Sequence, residues 1–529
     1  MTISDKQARQ RLGWLRAQGA NAMEALDKYD EHAALLEGYI EAKVAAGEEP
    51  APQDPAPDPG PTPEPEPDPV GPPPPVIEPG ERVLTGDFLA RPEDTAQTQA
   101  PFGRYMGRMA GGPPPAPSRD RIAQLVESKV ILPWRDHGNI NQRYLDAYTY
   151  DPDADPASDR FGAAHPFPYI YAGMGAGGWR PDIGPAHEVV ARYVADPTPE
   201  RFAAMASAAD GAFSIGWHIH DAATGRPVVW MNEPWAEKWC HGHHGKAENC
   251  LPLYRDKPWV NADVAHTPAI TSWAGLLTGE PHWLAAGVAQ AGWHLGHQNP
   301  GNRQAQPIWD YNARIGWWGI RDLILGILCA EALGWEAEAA QLRDAEARQI
   351  ATLAARIRTE PFKSLGVIDV DPQISLASGG KGTAYSSWQA DMGCMVLGWA
   401  VRMGREQWRP ILAHIAKGAA IRDRIWAETG DIVPWHYRTI VDDEKGAALT
   451  FEQIMAANAA EFDYYRGLGD AGASWWMSGF SDARAHQTLC SRQLMNACGY
   501  DFSGVLAKLW ARDADDPASQ RAGQYMIAL

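Results

Sequence analysis

Five short stretches of this sequence gather residues able to move protons or hold an anion. They are Gly178-Trp179-Arg180-Pro181-Asp182-Ile183-Gly184, Trp217-His218-Ile219-His220-Asp221, Asp263 with His266, Tyr311-Asn312-Ala313-Arg314 leading to Arg321, and Trp388-Gln389-Ala390-Asp391. These types suit work on an acidic polysaccharide. A β-elimination needs a group that neutralises a uronate carboxylate, which Arg, Asn or His provides, and a base for the C5 proton, which Tyr or His provides. Tyr311, Asn312, His218, His266, Arg180 and Arg314 fill those roles, with Trp179, Trp388 and Gln389 as further substrate-binding residues. A hydrolase needs instead two carboxylates on opposite sides of the scissile bond, and Asp182, Asp263 and Asp391 are available. A plainer reading stands beside each. Asp263 sits three residues before His266 at a helix start, where a carboxylate caps free N–H groups. Arg314 and Arg321 suit structural pairs with buried carboxylates.

Cys240-His241-Gly242-His243-His244, followed by Cys250, has the composition of a metal site but not its spacing. Cys240, His241, His243 and His244 are therefore weak metal candidates, and a Cys240–Cys250 disulfide is the alternative. Cys329, Cys394, Cys490 and Cys498 fall in apolar helical segments and read as core. Gly173-Met174-Gly175-Ala176-Gly177-Gly178 lacks the strand–helix context of a dinucleotide loop. No cofactor is expected.

The elements that must position these residues are helices in pairs. Apolar residues at helical spacing, broken by Gly or Pro, predict helices over about 187–195 with 198–209, 267–279 with 281–296, 314–333 with 335–358, 383–404 with 406–427, and 450–466 with 482–498. A short helix is expected from Arg119 to Val130, and Pro133 to Gly178 reads as a long loop system. The fold class is mainly α: an (α/α)5–6 toroid with long loops and minor β, spanning 118–529. In such a ring alternate loops gather on one face, so distant stretches can meet there. Trp259–Leu333 is its centre, one hairpin and the start of the next.

Two different segments precede this body. In residues 1–47, Leu12, Leu15, Gly19, Ala22, Leu26, Tyr29, Ala33, Leu36 and Ile40 form a heptad seam, the mark of a coiled coil that oligomerises or docks. Residues 48–117 are a Pro-rich linker and extended arm. Its Pro, Glu and Asp residues over 48–80 make a stiff spacer reaching on the order of 90 Å at about 3.1 Å per residue.

The totals exclude some classes. A net charge of -19 argues against nucleic acid, whose phosphates reward clustered Lys and Arg. No apolar run reaches the roughly 18 residues of a membrane helix. The first residues lack the apolar core of a signal peptide, so folding in the cytoplasm is expected. The 23 Trp are several-fold above ordinary usage; most should fill a helical core and a few line a cleft.

Several of these motifs, in this order, resemble one family. They are Gly178-Trp179-Arg180-Pro181-Asp182-Ile183-Gly184-Pro185, the His218 stretch ending in Thr224-Gly225-Arg226-Pro227, Asp263-x-Ala265-His266-x-Pro268 with Thr278-Gly279, Asn299-Pro300, and Arg314-x3-Trp318-x2-Arg321. The chain is similar over about residues 160 to 410 to a loosely characterised group of α/α-toroid proteins of bacteria and of phages or phage-like elements. The resemblance implies the toroid and, through similarity to toroid polysaccharide lyases, a carbohydrate-active or carbohydrate-binding role. It supplies no reaction and no catalytic residue. The arm outside it looks like the anchor of a virion fibre or spike. The expectation is a virion protein that engages host surface polysaccharide as a lyase, a glycosidase or a non-catalytic adhesin. Other virion proteins would be held through residues 1–47, with homo-oligomers and no membrane insertion. An intracellular glycan enzyme with an interaction arm is the remaining alternative.

Overall fold

Local sequence signals set the helix ends. Ser118 caps α1 (Arg119–Glu127) by accepting the Arg121 N–H at 3.1 Å, and Asp120 in the first turn complements the helix dipole. His187 does the same for α2 (Glu188–Ala195): its Nδ1 accepts the Val189 N–H at 3.2 Å. Helix α3 is Pro199–Phe213. Helix α4 (Ile270–Thr278) stops at Gly279, whose φ of 75° is a left-handed cap that few other residues tolerate. Pro281 then opens α5 (Pro281–Gly296), where a missing N–H costs nothing. The series continues with α6 (Ala313–Ala332), α7 (Glu336–Thr359), α8 (Ser387–Arg402), α9 (Arg409–Thr429), α10 (Phe451–Gly467) and α11 (Ser478–Ala497).

This computed structural model describes residues 84–85, 115–136, 185–213, 220–221, 225–229, 269–296, 313–359, 363–368, 371–375, 381–385, 387–429, 439–443, 447–467, 478–507 and 525–527. All lie in one unit of the chain, Arg82–Leu529. The expected N-terminal helix and the acidic polyproline stretch fall outside these residues.

The described chain is mainly α. Neighbouring helices pack on one another, α2 on α3, α4 on α5, α6 on α7 and α8 on α9, while α5 also packs on α6 and α8 on α11; no comparable packing joins α10 and α11 among the described residues. Helices α4, α5 and α6 approach most closely, because small residues line their contact. A Cβ on Gly287 would strike Ser272 and Cys329, and one on Gly326 would strike Ala291. Around this seam lies one large apolar core. Trp273, Trp283, Trp293, Trp317, Trp318, Trp399 and Trp408 are essentially fully buried in it. Each such ring removes on the order of 200 Å² from water, worth several kcal/mol. The core expectation for Trp therefore holds for these seven. Cys329, Cys394 and Cys490 are likewise buried, outside any disulfide, and Cys498 is half-buried. Among the described residues no helix is long and apolar enough to cross a membrane.

Strands are few and short. β1 (Leu84–Thr85) pairs with β3 (His220–Asp221), so the arm touches the body there. β2 (Trp134–Asp136) pairs antiparallel with β7 (Tyr525–Ile527). β4 (Asp371–Ser375), β5 (Lys381–Tyr385) and β6 (Thr439–Ile440) form an antiparallel sheet in that order. The open edge of β6 is met by one side chain: Asn458 accepts the Ile440 N–H at 2.8 Å and donates to its carbonyl at 3.0 Å. A small second core of Leu365, Val367, Ala384, Ile425, Ile440, Val441, Leu449 and Ile454 backs this sheet.

Candidate functional site

The side-chain contacts fix the helix directions. Gln290 and His294 near the end of α5 meet Asp322 in the first half of α6, whereas Gly287 meets Cys329 near the end of α6, so α5 and α6 are antiparallel. Gly275 of α4 packs on Leu284 and Ser272 on Gly287, so α4 runs with α6. Gly393 in the second turn of α8 packs on Trp317 in the second turn of α6, and Trp399 later in α8 meets Trp273 of α4 at 5.3 Å. Asp391 and Gly398 of α8 meet Ser491 and Leu494 of α11 in the same order. Helices α4, α6, α8 and α11 therefore run in parallel, and their N-termini point the same way. Each N-terminus carries about half a positive charge.

The predicted stretches enter at those ends. Asp263 and His266 precede α4 in sequence, Tyr311 and Asn312 precede α6, and Trp388 and Gln389 lie in the first turn of α8. Trp179, Arg180, Asp182, His218, Asp263, His266, Tyr311 and Asn312 lie outside the described residues. So do Cys240, His241, His243 and His244; among the described residues no group of three His, Cys, Asp or Glu is placed to hold a metal. Arg314 is half-buried in the first turn of α6. Gln389 is 2% exposed. A side chain buried that deeply meets a polymer only through its neighbours.

Beneath this end lies a buried polar patch that the sequence did not single out. Asp322 is its centre. Its carboxylate accepts from Gln290 Nε2 at 2.5 Å and from Arg321 Nε at 2.7 Å, and His294 Nδ1 lies 3.0 Å away. Burial pushes the Asp322 carboxyl up, but the Arg321 and His294 charges and hydrogen bonds outweigh it and hold it below the usual carboxylate range. The Arg321 guanidinium also stands 4.5 Å from the Trp318 ring centroid, a cation–π contact. His187, the cap of α2, lies close enough to Arg321 to feel its charge. Burial, then the nearby charges of Arg321 and Arg192, pushes His187 down to about 3. His187 is thus a neutral acceptor at the start of α2. The patch links the helix that follows the Trp179–Asp182 stretch to the helix that follows Tyr311–Asn312.

A second buried ionic cluster corrects one expectation. Asp391, offered as a glycosidase carboxylate, is 1% exposed and enclosed by cations. It pairs with Arg422 and with Arg492 Nη1 at 2.6 Å, and accepts from Thr488 at 2.8 Å and Ser491 at 3.3 Å. Arg492 reaches on to Asp423 through two bonds, at 2.6 and 2.7 Å. Burial pushes Asp391 up, but Arg422 and Arg492 overcome it and hold the carboxyl below its ordinary range. Two acids and two arginines thus cancel inside α8, α9 and α11. A carboxylate this well satisfied cannot serve as a general acid or base. The expectation that Arg321 pairs with a buried carboxylate is met by Asp322.

Sequence reasoning missed His187, Arg192, Gln290, His294 and Asp322. Four of them sit inside helical patterns, where polar residues at apolar positions were the available signal. No family model, curated protein or solved structure matches this chain.

Proposed function

We propose that the body is an α/α toroid that engages an acidic host surface polysaccharide at the end where α6 and α8 begin. The carrying observation is that α6 and α8 begin side by side, Gly393 packing on Trp317, with Tyr311 and Asn312 just before α6 in sequence and Trp388 and Gln389 in the first turn of α8. Such an end favours anions through the helix dipoles, and Arg314 adds a cation in the first turn of α6. His218, His266 and Tyr311 are the proton-transfer residues of this reading. Arg180, Asn312 and Arg314 neutralise the sugar carboxylate, and Trp179 and Trp388 stack on rings. With Asp391 sequestered, a lyase accounts for the remaining residues better than a glycosidase, which keeps only Asp182 and Asp263.

The arm supports a place on a phage or phage-like particle, as a fibre or spike component. Its heptad seam suits self-association or docking through residues 1–47, and the acidic polyproline spacer holds the body away from the anchor. A virion adhesin without turnover is the second reading, favoured by the depth of Gln389 and of the polar patch.

One experiment separates these readings. The protein is incubated with capsule or lipopolysaccharide from candidate hosts, while absorbance near about 232 nm, the unsaturated-uronate band of an elimination, and reducing ends are followed. Elimination gives both signals, hydrolysis gives reducing ends alone, and retention without product gives an adhesin. Failure to retain any acidic glycan sinks the proposal.

A further inference from the structure

We propose that β7 is a clasp holding the first and last parts of the helical body together. The strand pairs antiparallel with β2, in the register Trp134 with Ile527, Arg135 with Met526 and Asp136 with Tyr525. It also packs on α2 and on α11. One three-residue strand therefore touches β2 and the first helical pair on one side and the last long helix on the other.

The physical case rests on mutual dependence. β2 lies at the margin of the core: Ile131 and Leu132 just before it are buried, and Trp134 is 6% exposed. Backbone groups in such a place need partners, and β7 supplies them. A two-stranded ribbon this short is not stable alone in water. It persists because β2 also packs on α2, and β7 on α2 and α11. Pairing and packing thus support each other, and losing either releases both. Residues 130–136 are anchored separately to the body, since the Trp399 indole donates to the Val130 carbonyl at 2.9 Å. Release of β7 therefore loosens β2 beyond Val130 and the side of α2 that β7 covers, while α5 and α6, which β7 does not pack on, stay folded. Because α2 starts at His187, the clasp also holds one wall of the buried polar patch; its relevance to glycan engagement rests on the function proposed above.

The test uses the full chain and needs no glycan. Met526→Pro removes a strand N–H in the middle of β7. Amide exchange in 131–136 and 188–195 should rise about tenfold or more while α5 and α6 keep their protection. Unchanged exchange in both segments overturns the clasp. Should Met526→Pro not fold, the pair Arg135→Cys with Met526→Cys decides, because these positions face each other in the register. A disulfide that forms under mild oxidation, with slowed exchange in β2 and α2, supports the clasp. No disulfide, or a disulfide that leaves α2 exchange unchanged, refutes it. A chain that passes either test and retains no glycan keeps the clasp and loses the glycan reading.

Discussion

Two buried polar regions of this molecule use the same residue types to different ends. The region in α8, α9 and α11 sets Asp391 and Asp423 against Arg422 and Arg492, and every carboxylate lies against a guanidinium. The region in α5 and α6 gathers Gln290, His294 and Arg321 around Asp322, with Trp318 on the guanidinium face and His187, at the start of α2, within reach of the Arg321 charge. The first matches two carboxylates with two guanidiniums. The second, midway along α6, includes the His294 imidazole and the nearby His187. Burial alone therefore does not mark a functional region. Balance, residue type and position along the helices distinguish them. The closed cluster fixes which helices pair, since paired charges tolerate only one register.

The sharpest way to break this contrast is Asp391→Asn. Leaving Arg422 and Arg492 without their shared carboxylate should cost about 3–5 kcal/mol, seen in denaturant unfolding, and at low temperature the residual folded protein should hold glycan normally. Selective loss of glycan retention with intact stability would make the closed cluster part of the site. Asp322→Asn should cost less, about 2–3 kcal/mol, because Gln290 and His294 can adjust around an amide. Its folded fraction should nevertheless retain glycan poorly in affinity electrophoresis. A stability loss without a retention defect would make both clusters merely structural.

His187 gives a pH signature. Its imidazole is pushed down to about 3 in the folded chain, against about 6.5 when unfolded. The unfolded chain therefore binds the extra proton first as pH falls, and stability declines from about pH 6.5 toward 3, by up to a few kcal/mol. Asp391 and Asp322, held below the usual range, add to the decline only below about pH 4, as the unfolded carboxyls protonate. His187→Gln should flatten the unfolding profile between about pH 6.5 and 4 and leave the lower limb in place. An unchanged upper limb would show that His187 is not the group responsible. The smallest stability effect belongs to Arg314→Ala, under about 1 kcal/mol at a half-buried first-turn position. Retention of an acidic glycan should still fall, and a neutral glycan should be unaffected. Equal loss for both glycans would remove the anion role of Arg314.

Helix pairing was legible because it is written locally. The expected segments 281–296 and 314–333 appear as Pro281–Gly296 and Ala313–Ala332, bounded by Gly279, Pro281 and the turn at Gly334. The segment expected as helix from 383 is strand until Tyr385, and the helix starts at Ser387. That strand pairs on one side with β4 only a few residues before it, a local hairpin the helical reading passed over, and on the other with Thr439–Ile440, more than fifty residues on. Asp391 looked like a catalytic carboxylate because it stands near Trp388 and Gln389. Its enclosing arginines come from 31 and 101 residues away. The patch around Asp322 was hidden for a related reason: Gln290, His294 and Arg321 look like isolated polar breaks in apolar helices until α5 is laid antiparallel on α6.

By itself the sequence determined most of the helices, several of their ends, and the chemical types available near helix starts. These follow from periodicity, capping and backbone restriction, which act over a few residues. Only the tertiary structure decided that α4, α6, α8 and α11 run in parallel, that Asp391 is neutralised, and that Asp322 gathers a polar patch. Those outcomes depend on which helix faces approach within hydrogen-bonding distance. Close approach is set by glycine and alanine contacts between segments distant in the chain.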